Sequence, residues 1–238
     1  MSDRTSVIAA AADLSGAFET RSSLCGPFVR ALPITRAAIS MLGDPFGIET
    51  VCASDIEAER LDELQIDLGE GPCWDAMSSG SPIVEPDIQN AVTERWPILT
   101  EAIRDAGLRA VFAFPLSVGS LDIGAIDLYS DAPGRLVEQD MASASMLAGI
   151  AALQVLRGAL AKHPEIGETQ AESGLHDFDE GAYSRREVHQ ATGMVIAQMR
   201  MSADDALLVI RAHAFATGRS VRAVAADVTA RRIDFSRR

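Results

Sequence analysis

Bulky apolar residues recur at every second position within residues 109–118, a pattern that predicts a β-strand. They are Phe112, Phe114, Leu116 and Val118. Gly119 and Ser120 come next and predict a two-residue hairpin turn, after which the chain returns through the apolar run 123–129. The segment is therefore predicted to form two antiparallel strands.

A second strand pair is predicted nearer the N-terminus. Residues 35–42 and 48–53 are apolar runs of strand length, and residues 43–47 between them (GDPFG) are typical of a turn. Helical patterns cover 6–18, 55–64, the segments that start at Pro72 and at Pro97, and 138–160. Strand pairs at both ends with helices between them predict an α+β domain over residues 5–160, in which helices cover an antiparallel sheet.

The predicted closing helix, 138–160, carries an apolar pattern that has two interpretations. Met146, Ile150, Leu153 and Leu160 approximate a three-four spacing. This spacing, which Arg157 and Gly158 interrupt, is typical of a seam between two copies of a helix, and more commonly of a helix face that covers its own sheet. The sequence alone leaves both open.

Three short helices are predicted in the last quarter of the chain, because their starts carry capping residues. The caps are Ser184 with Glu187, Ser202 with Asp205, and Ser220 after Gly218. We predict helices at 185–199, 203–217 and 221–231, which together form an all-α three-helix bundle in residues 184–234. Residues 161–183 are acidic, glycine-rich and poor in aliphatic side chains, and predict a flexible linker.

The two predicted domains differ in charge. The whole chain carries a net charge of −13, which by itself argues against a nucleic-acid partner. Residues 184–238, however, hold ten arginines and five acidic residues, a net charge of +5, so residues 1–183 carry −18. This asymmetry is typical of a segment that binds a polyanion, and charge alone is equally compatible with a solvated arginine-rich surface.

One face of the first predicted helix of the bundle fits contact with a polynucleotide. Val188, Ala191, Val195 and Met199 form its apolar side, and the opposite side combines arginine with small residues. The opposite side consists of Arg186, Gln190, Gly193, Ala197 and Arg200. No bulky side chain there keeps a phosphate backbone at a distance.

Four further arginines are candidates for the same role: Arg211, Arg222, Arg231 and Arg232. Arginine suits this role because its planar guanidinium contacts phosphate in a bidentate manner and stacks on bases. For Arg211 an ion pair with Asp205 or Asp227 is an equally good interpretation. His189 and His213 have no partner ligands at a suitable spacing, so no metal site is predicted.

Residues 188–228 (VHQATGMVIAQMRMSADDALLVIRAHAFATGRSVRAVAADV) resemble the ANTAR domain at nearly every core position. The resemblance implies transcription antitermination through binding to paired hairpins in nascent RNA, usually as a dimer. Many family members have lysine where Thr192 stands here, which removes one cation from the implied RNA-binding face.

The N-terminal domain resembles a GAF domain, closest to the actinobacterial ones that precede RNA-binding modules. The motifs that carry the resemblance are GEGPCWDA at 69–76, RWP at 95–97 and RAVFAFPLSVGSLDIGAIDLY at 109–129. The resemblance implies a sensor for a signal that the sequence does not identify. No cofactor is predicted: all four histidines lie beyond residue 160, which disfavours a histidine-ligated haem.

The three cysteines, Cys25, Cys52 and Cys73, are an odd number without a CxxC pair. They predict a reducing compartment and no structural zinc. Cys73 with Trp74 near a helix start is a candidate redox or ligand site, provided that the thiol pKa is lowered there. The alternative interpretation of Cys73 is a small buried apolar residue.

Two other functions compete with an RNA-binding regulator. A GAF-coupled DNA-binding regulator is one, because three short helices also form a helix-turn-helix. A GAF-type methionine sulfoxide reductase is the other, although the cysteine spacing does not favour an enzyme. Since neither a membrane-spanning run nor a signal peptide is recognisable, we expect a cytoplasmic protein without a membrane partner.

Overall fold

The computed structural model describes residues 3–43, 45–91, 95–162 and 186–236, with Arg186 described by its backbone alone. The chain divides into two compact units, residues 1–180 and residues 181–238. Most of the predicted linker, and Ser184 of the predicted capping box, lie outside the described residues. Residues 161 and 162, also assigned to the linker, extend the closing helix instead.

The first unit is built on a five-stranded antiparallel sheet with the order β2-β1-β5-β4-β3. Its strands are β1 (Arg36–Gly43), β2 (Gly47–Ala53), β3 (Ile83–Glu85), β4 (Ala110–Val118) and β5 (Leu121–Ser130). Both predicted strand pairs are present, and the turn at Gly119 joins β4 to β5 as predicted. The short edge strand β3 was not predicted, since three residues show no period.

Seven helices of the first unit lie within the described residues. They are α1 (Arg4–Ser15), α2 (Ala17–Thr20), α3 (Gly26–Ala31), α4 (Ile56–Leu68), α5 (Pro72–Ser79), α6 (Pro97–Asp105) and α7 (Glu138–Lys162). Helices α1, α3 and α7 share an apolar core with one face of the sheet, whereas α4, α5 and α6 pack against the other face. Both faces of the sheet are therefore buried, and the architecture is the predicted α+β one.

Gly124 in β5 allows the two central strands to approach each other closely. A Cβ atom at this position would collide with the backbone carbonyl oxygen of Ser40 in β1. Any side chain at position 124 therefore forces the two backbones apart.

Cys25 and Cys52 are joined by a disulfide bond that closes 27 residues of sequence. Cys25 directly precedes α3, and Cys52 lies in the edge strand β2. This corrects the prediction of reduced cysteines, which followed from the odd count and the lack of a CxxC pair. The pairing depends instead on tertiary contacts between distant segments, which the spacing of cysteines cannot reveal.

Helix α7 has two apolar faces, one buried and one exposed. One face, with Leu147, Ala151 and Val155, is buried against the sheet. On the other face Met146, Leu153 and Leu160 stay 48%, 46% and 36% exposed. By length and composition α7 is also the one helix in the described part of the chain that could cross a membrane, although 44% of that apolar stretch is buried in the fold.

The second unit is a three-helix bundle of α8 (Arg186–Met199), α9 (Ala203–Thr217) and α10 (Val221–Thr229). The predicted caps of α9 and α10 are present: Ser202 Oγ accepts from the Asp205 amide at 3.2 Å, and Ser220 Oγ accepts from the Ala223 amide at 3.1 Å. The bundle core contains the predicted valines and alanines of all three helices. Met199, predicted to be in the core, is instead 38% exposed, because it lies in the last turn of α8.

Candidate functional site

The outer face of α8 presents the small and polar residues that the helical wheel grouped together. Gln190, Gly193 and Ala197 are all exposed, while Val188, Ala191 and Val195 opposite them are buried. Because residues three and four apart lie on one side of a helix, the exposed residues form a continuous strip. The side chain of Arg186, which the sequence places at the start of this strip, lies outside the described residues.

Arg200 is the last residue of the strip and directly follows the end of α8 at Met199. Its backbone is left-handed, with φ of 56°, and its amide donates to the Ile196 carbonyl at 2.8 Å. Its side chain is exposed. A non-glycine residue rarely adopts this conformation, and the turn that follows leads directly to Ser202 and α9.

Contacts of α10 and the residues after it place further arginines beside α8. The Arg222 guanidinium lies 3.8 Å from the Glu187 carboxylate in the first turn of α8. At the other end of α8, the Phe235 amide donates to Gln198 Oε1 at 3.1 Å. The segment from α10 to Phe235 therefore contacts α8 near both of its ends, and Arg231 and Arg232 lie within this segment.

Asp227 forms ion pairs with two arginines, an arrangement that the sequence pattern does not indicate. Arg219 Nη2 lies 2.6 Å from one carboxylate oxygen, and Arg232 Nε lies 2.5 Å from the other. Hydrogen bonds from Arg219 and then from Arg232 lower the pKa of Asp227. The positive charge predicted at Arg232 is thus partly compensated, whereas the exposed Arg231 next to it lies in a left-handed turn with φ of 58°.

The structure places Arg211 in α9, where its side chain is partly buried. Asp227, one of the two carboxylates suggested as its partner, forms ion pairs with Arg219 and Arg232. Leu208 and Phe215 on the same helix are 63% and 71% exposed. Two large apolar side chains of α9 therefore lie outside the core of the bundle.

Cys73 in the first unit does not have the environment predicted for a redox-sensing thiol. The thiol is fully buried at the start of α5, beneath Trp74, whose indole Nε1 donates to the Gln65 carbonyl at 2.9 Å. Burial first, and then the charge of Asp127, raise the pKa of the Cys73 thiol well above its ordinary value. The lowered pKa expected near a helix start is therefore wrong, because desolvation outweighs any effect of the helix end.

A buried polar network next to Cys73 was not anticipated. Gln65 in α4 donates to Asp127 in β5 and lies 3.2 Å from the Tyr129 hydroxyl, and its own Oε1 accepts from the Cys73 amide at 3.1 Å. Asp62, one turn before Gln65, accepts from Ser40 and from Thr50. Two carboxylates are thus enclosed between α4 and the sheet.

Within this network, the ionised form of Asp127 is disfavoured. Burial, and then the charge of Asp62, raise its pKa to about 7, while hydrogen bonds from Gln65 and Tyr129 oppose the rise. Its second oxygen, Oδ1, is buried without a hydrogen-bond partner among the described residues. Scattered acidic and polar residues in the sequence gave no signal that they would meet in the fold.

Residues 28–155 match the GAF domain family, and residues 179–228 match the ANTAR domain family. Among curated proteins none matches the sequence. Many solved structures are similar to the first unit. The GAF domain region of a Geobacter sulfurreducens PCA protein is 19% identical, with a TM-score of 0.48, over 63% of this chain and 98% of that one.

Two other solved structures have similar coverage. A domain of a Sinorhizobium meliloti 1021 protein described as a two-component sensor histidine kinase is 22% identical, with a TM-score of 0.46, over 63% of this chain and 97% of that chain. The fRMsr of Staphylococcus aureus is 14% identical, with a TM-score of 0.41, over 63% of this chain and 94% of that one. Similarity at this level carries no argument about function.

Proposed function

Because the chain belongs to the GAF domain family and carries an ANTAR domain behind it, we propose that it is a signal-responsive antitermination regulator that binds hairpins in nascent RNA. Its GAF domain and its ANTAR domain together are a regulatory architecture rather than a catalytic one. In this proposal the GAF domain senses an unidentified signal and has no enzymatic activity. The site of action is the cytoplasm, where nascent bacterial transcripts are found.

The observation that carries the proposal is the exposed strip on α8. Gln190, Gly193 and Ala197 let a phosphate backbone approach the helix closely, and Arg200 at its end supplies positive charge. Arg186, Arg211, Arg222, Arg231 and Arg232 complete the proposed site. RNA hairpins fit this surface because they offer both phosphates and unstacked loop bases, and arginine contacts both.

The alternative, a DNA-binding regulator, finds less support in α10. A base-reading helix needs exposed Asn, Gln, Ser or Arg side chains. The outward positions of α10 are mainly alanine, together with Arg222, which lies 3.8 Å from Glu187, and Asp227, which is engaged by Arg219 and Arg232. This helix therefore offers few groups for reading the edges of base pairs.

The test is binding of the full chain to a transcript fragment with two hairpins, recovered by crosslinking in cells. The double variant Arg186→Gln with Arg200→Gln should weaken binding roughly 100-fold or more, since each charge-assisted hydrogen bond contributes about 1.5–3 kcal/mol. The matched control removes two exposed arginines from the GAF domain, Arg30→Gln with Arg60→Gln, and should bind like the parent chain. Helical circular dichroism checks that the variants fold.

Salt dependence gives a second readout of the same proposal. If about five phosphates are contacted, log affinity should fall against log salt with a slope of roughly −3.5. Unchanged affinity of the arginine variant would remove the site assignment. Tighter binding to a duplex DNA of the same sequence than to the hairpin RNA would favour the DNA-binding alternative.

We also propose that the chain acts as a homodimer paired through α7. Met146, Leu153 and Leu160 are spaced by seven residues on the exposed side of the helix, and a seven-residue repeat is the spacing at which two helices pack along their length. The opposite face of α7 packs against the sheet of the same domain. This packing accounts for the apolar residues on that face without a membrane partner.

A further inference from the structure

The Cys25–Cys52 disulfide lies at a weak place in the sheet. Strand β2 is an edge strand that pairs with β1 alone. Ile39 of β1 pairs with Cys52, whereas Ser40 pairs with Thr50, so a β-bulge interrupts the ladder directly beside Cys52. A bulge on an edge strand disrupts local pairing, and such segments open at lower cost than the core of the sheet.

A surface cleft of about 540 Å³ opens beside the same disulfide. Ser23 and Gly26, on either side of Cys25, line it, and so does Ala53, which follows Cys52. Arg30 and Asp55 give its rim both signs of charge. The cleft therefore has the size and polarity to admit a small polar molecule, and its lining consists of sequence neighbours of the two cysteines rather than the cysteines themselves.

The two cysteines differ in accessibility, and the third lies elsewhere. Cys25 is fully buried and Cys52 is 8% exposed, so Cys52, on the edge strand, is the first of the two that local opening exposes to a reagent. Cys73 belongs to a different apolar cluster, with Ile66 and Ala76 on the face of the sheet covered by α4 and α5. It is therefore not placed to exchange with the Cys25–Cys52 pair.

We propose that Cys25 and Cys52 form a reversible thiol–disulfide exchange site whose reactants are low-molecular-weight thiols and their disulfides. A thiolate attacks Cys52 Sγ, the Sγ–Sγ bond breaks, and Cys25 leaves as a thiolate that takes a proton. A second small thiolate then attacks the small-molecule sulfur of this mixed disulfide, Cys52 leaves as a thiolate that takes a proton, and the small-molecule disulfide is released. Two electrons and two protons pass from two small thiols to the protein, and the reverse sequence oxidises it.

Exchange makes the edge of the GAF domain responsive to redox conditions. The oxidised form holds α3 to β2, and the reduced form leaves their contact to packing alone.

The test uses the full chain, purified without reductant and kept under native conditions. Glutathione is the small-thiol probe, dithiothreitol is the strong reductant, and thiols are counted by mass after acid quenching and alkylation. We expect one thiol per chain before treatment and three after dithiothreitol, with unchanged helical circular dichroism. Glutathione should give a mixed disulfide, identified by peptide mapping at Cys52.

Three variants make the test specific. Cys73→Ser should keep the exchange and show two thiols after reduction, whereas Cys25→Ser and Cys52→Ser should abolish formation of the intramolecular bond. Reduction through local opening should proceed at a rate that does not change between zero and low urea, because the edge opens without global unfolding.

Two results would overturn the inference. One is a chain that shows three thiols after purification in air. The other is a disulfide that reacts only when urea unfolds the protein, which would make it a purely structural link. Since no RNA is used, either failure would leave the proposed function untouched.

Discussion

Among single residues, Asp127 is a position where the fold disfavours the ionised form of a side chain. Its carboxyl is buried beside a second carboxyl, and its pKa rises to about 7 from an ordinary 3.8. The folded state holds this proton more tightly than the unfolded chain does. The contribution of Asp127 to the free energy of unfolding is therefore fully present below pH 3.8. That contribution is lost as pH rises through about 7.

Asp127→Asn should therefore remove a pH dependence from the stability of the GAF domain. In the parent chain, Asp127 should lower the free energy of unfolding by up to roughly 4 kcal/mol between pH 4 and pH 8. This figure follows from about 1.4 kcal/mol for each unit by which its pKa is raised. The measurement is urea unfolding, followed by circular dichroism, at several pH values.

Asp122→Asn is the matched control for this experiment, because it removes the same charge from an exposed position of β5. Its profile should follow that of the parent chain. A profile of Asp127→Asn that runs parallel to the parent profile across the whole range would contradict the assignment.

At the scale of the element, the central strand pair depends on a position without a side chain. Gly124→Ala should destabilise the GAF domain by about 1–3 kcal/mol or more, because its Cβ collides with backbone of β1 that cannot move away like a flexible side chain. Urea unfolding measures the loss.

The matched control for Gly124→Ala is Gly149→Ala in α7. A Cβ at position 149 meets no atom within 4 Å, and alanine favours helices over glycine by about 1 kcal/mol. This control should raise the stability. A neutral Gly124→Ala would mean that β1 and β5 can separate at no cost.

The elements differ in how far the sequence predicts them, for physical reasons. Helices α8 to α10 were predicted to within two residues at each end, since caps such as Ser202 and Ser220 are local signals. The hairpin at Gly119 is equally local. The edge strand β3 and the short α3 lack any periodic pattern, and their formation depends on contacts with β4 and α1 that a linear pattern does not contain.

The candidate site divides in the same way. The strip of Gln190, Gly193 and Ala197 follows from helical periodicity alone, so it could be read from the sequence. Local sequence pattern does not relate the residues that meet in three other places. These are the ion pairs of Arg219 and Arg232 with Asp227, the Gln65–Asp127 network and the Cys25–Cys52 bond. Only the folded chain brings these side chains together.

At the scale of the whole molecule, the oligomeric state can be tested on α7. Leu153→Glu places a charge in the centre of the exposed apolar stripe and should convert the proposed dimer to a monomer, measured by light scattering after size exclusion. The control is Ser145→Glu, on an exposed position of the same helix about a quarter turn from the stripe. A parent chain that is monomeric at micromolar concentration would contradict the proposal.

The seven-residue spacing on α7 has a consequence for valency. Two chains paired along this helix would bring two RNA-binding bundles into one assembly, although each bundle alone is a small site. Once one hairpin of a transcript is bound, capture of its neighbour becomes an intramolecular event governed by effective concentration. Avidity would then let the assembly prefer transcripts with two hairpins over those with one, without any added contact to a base.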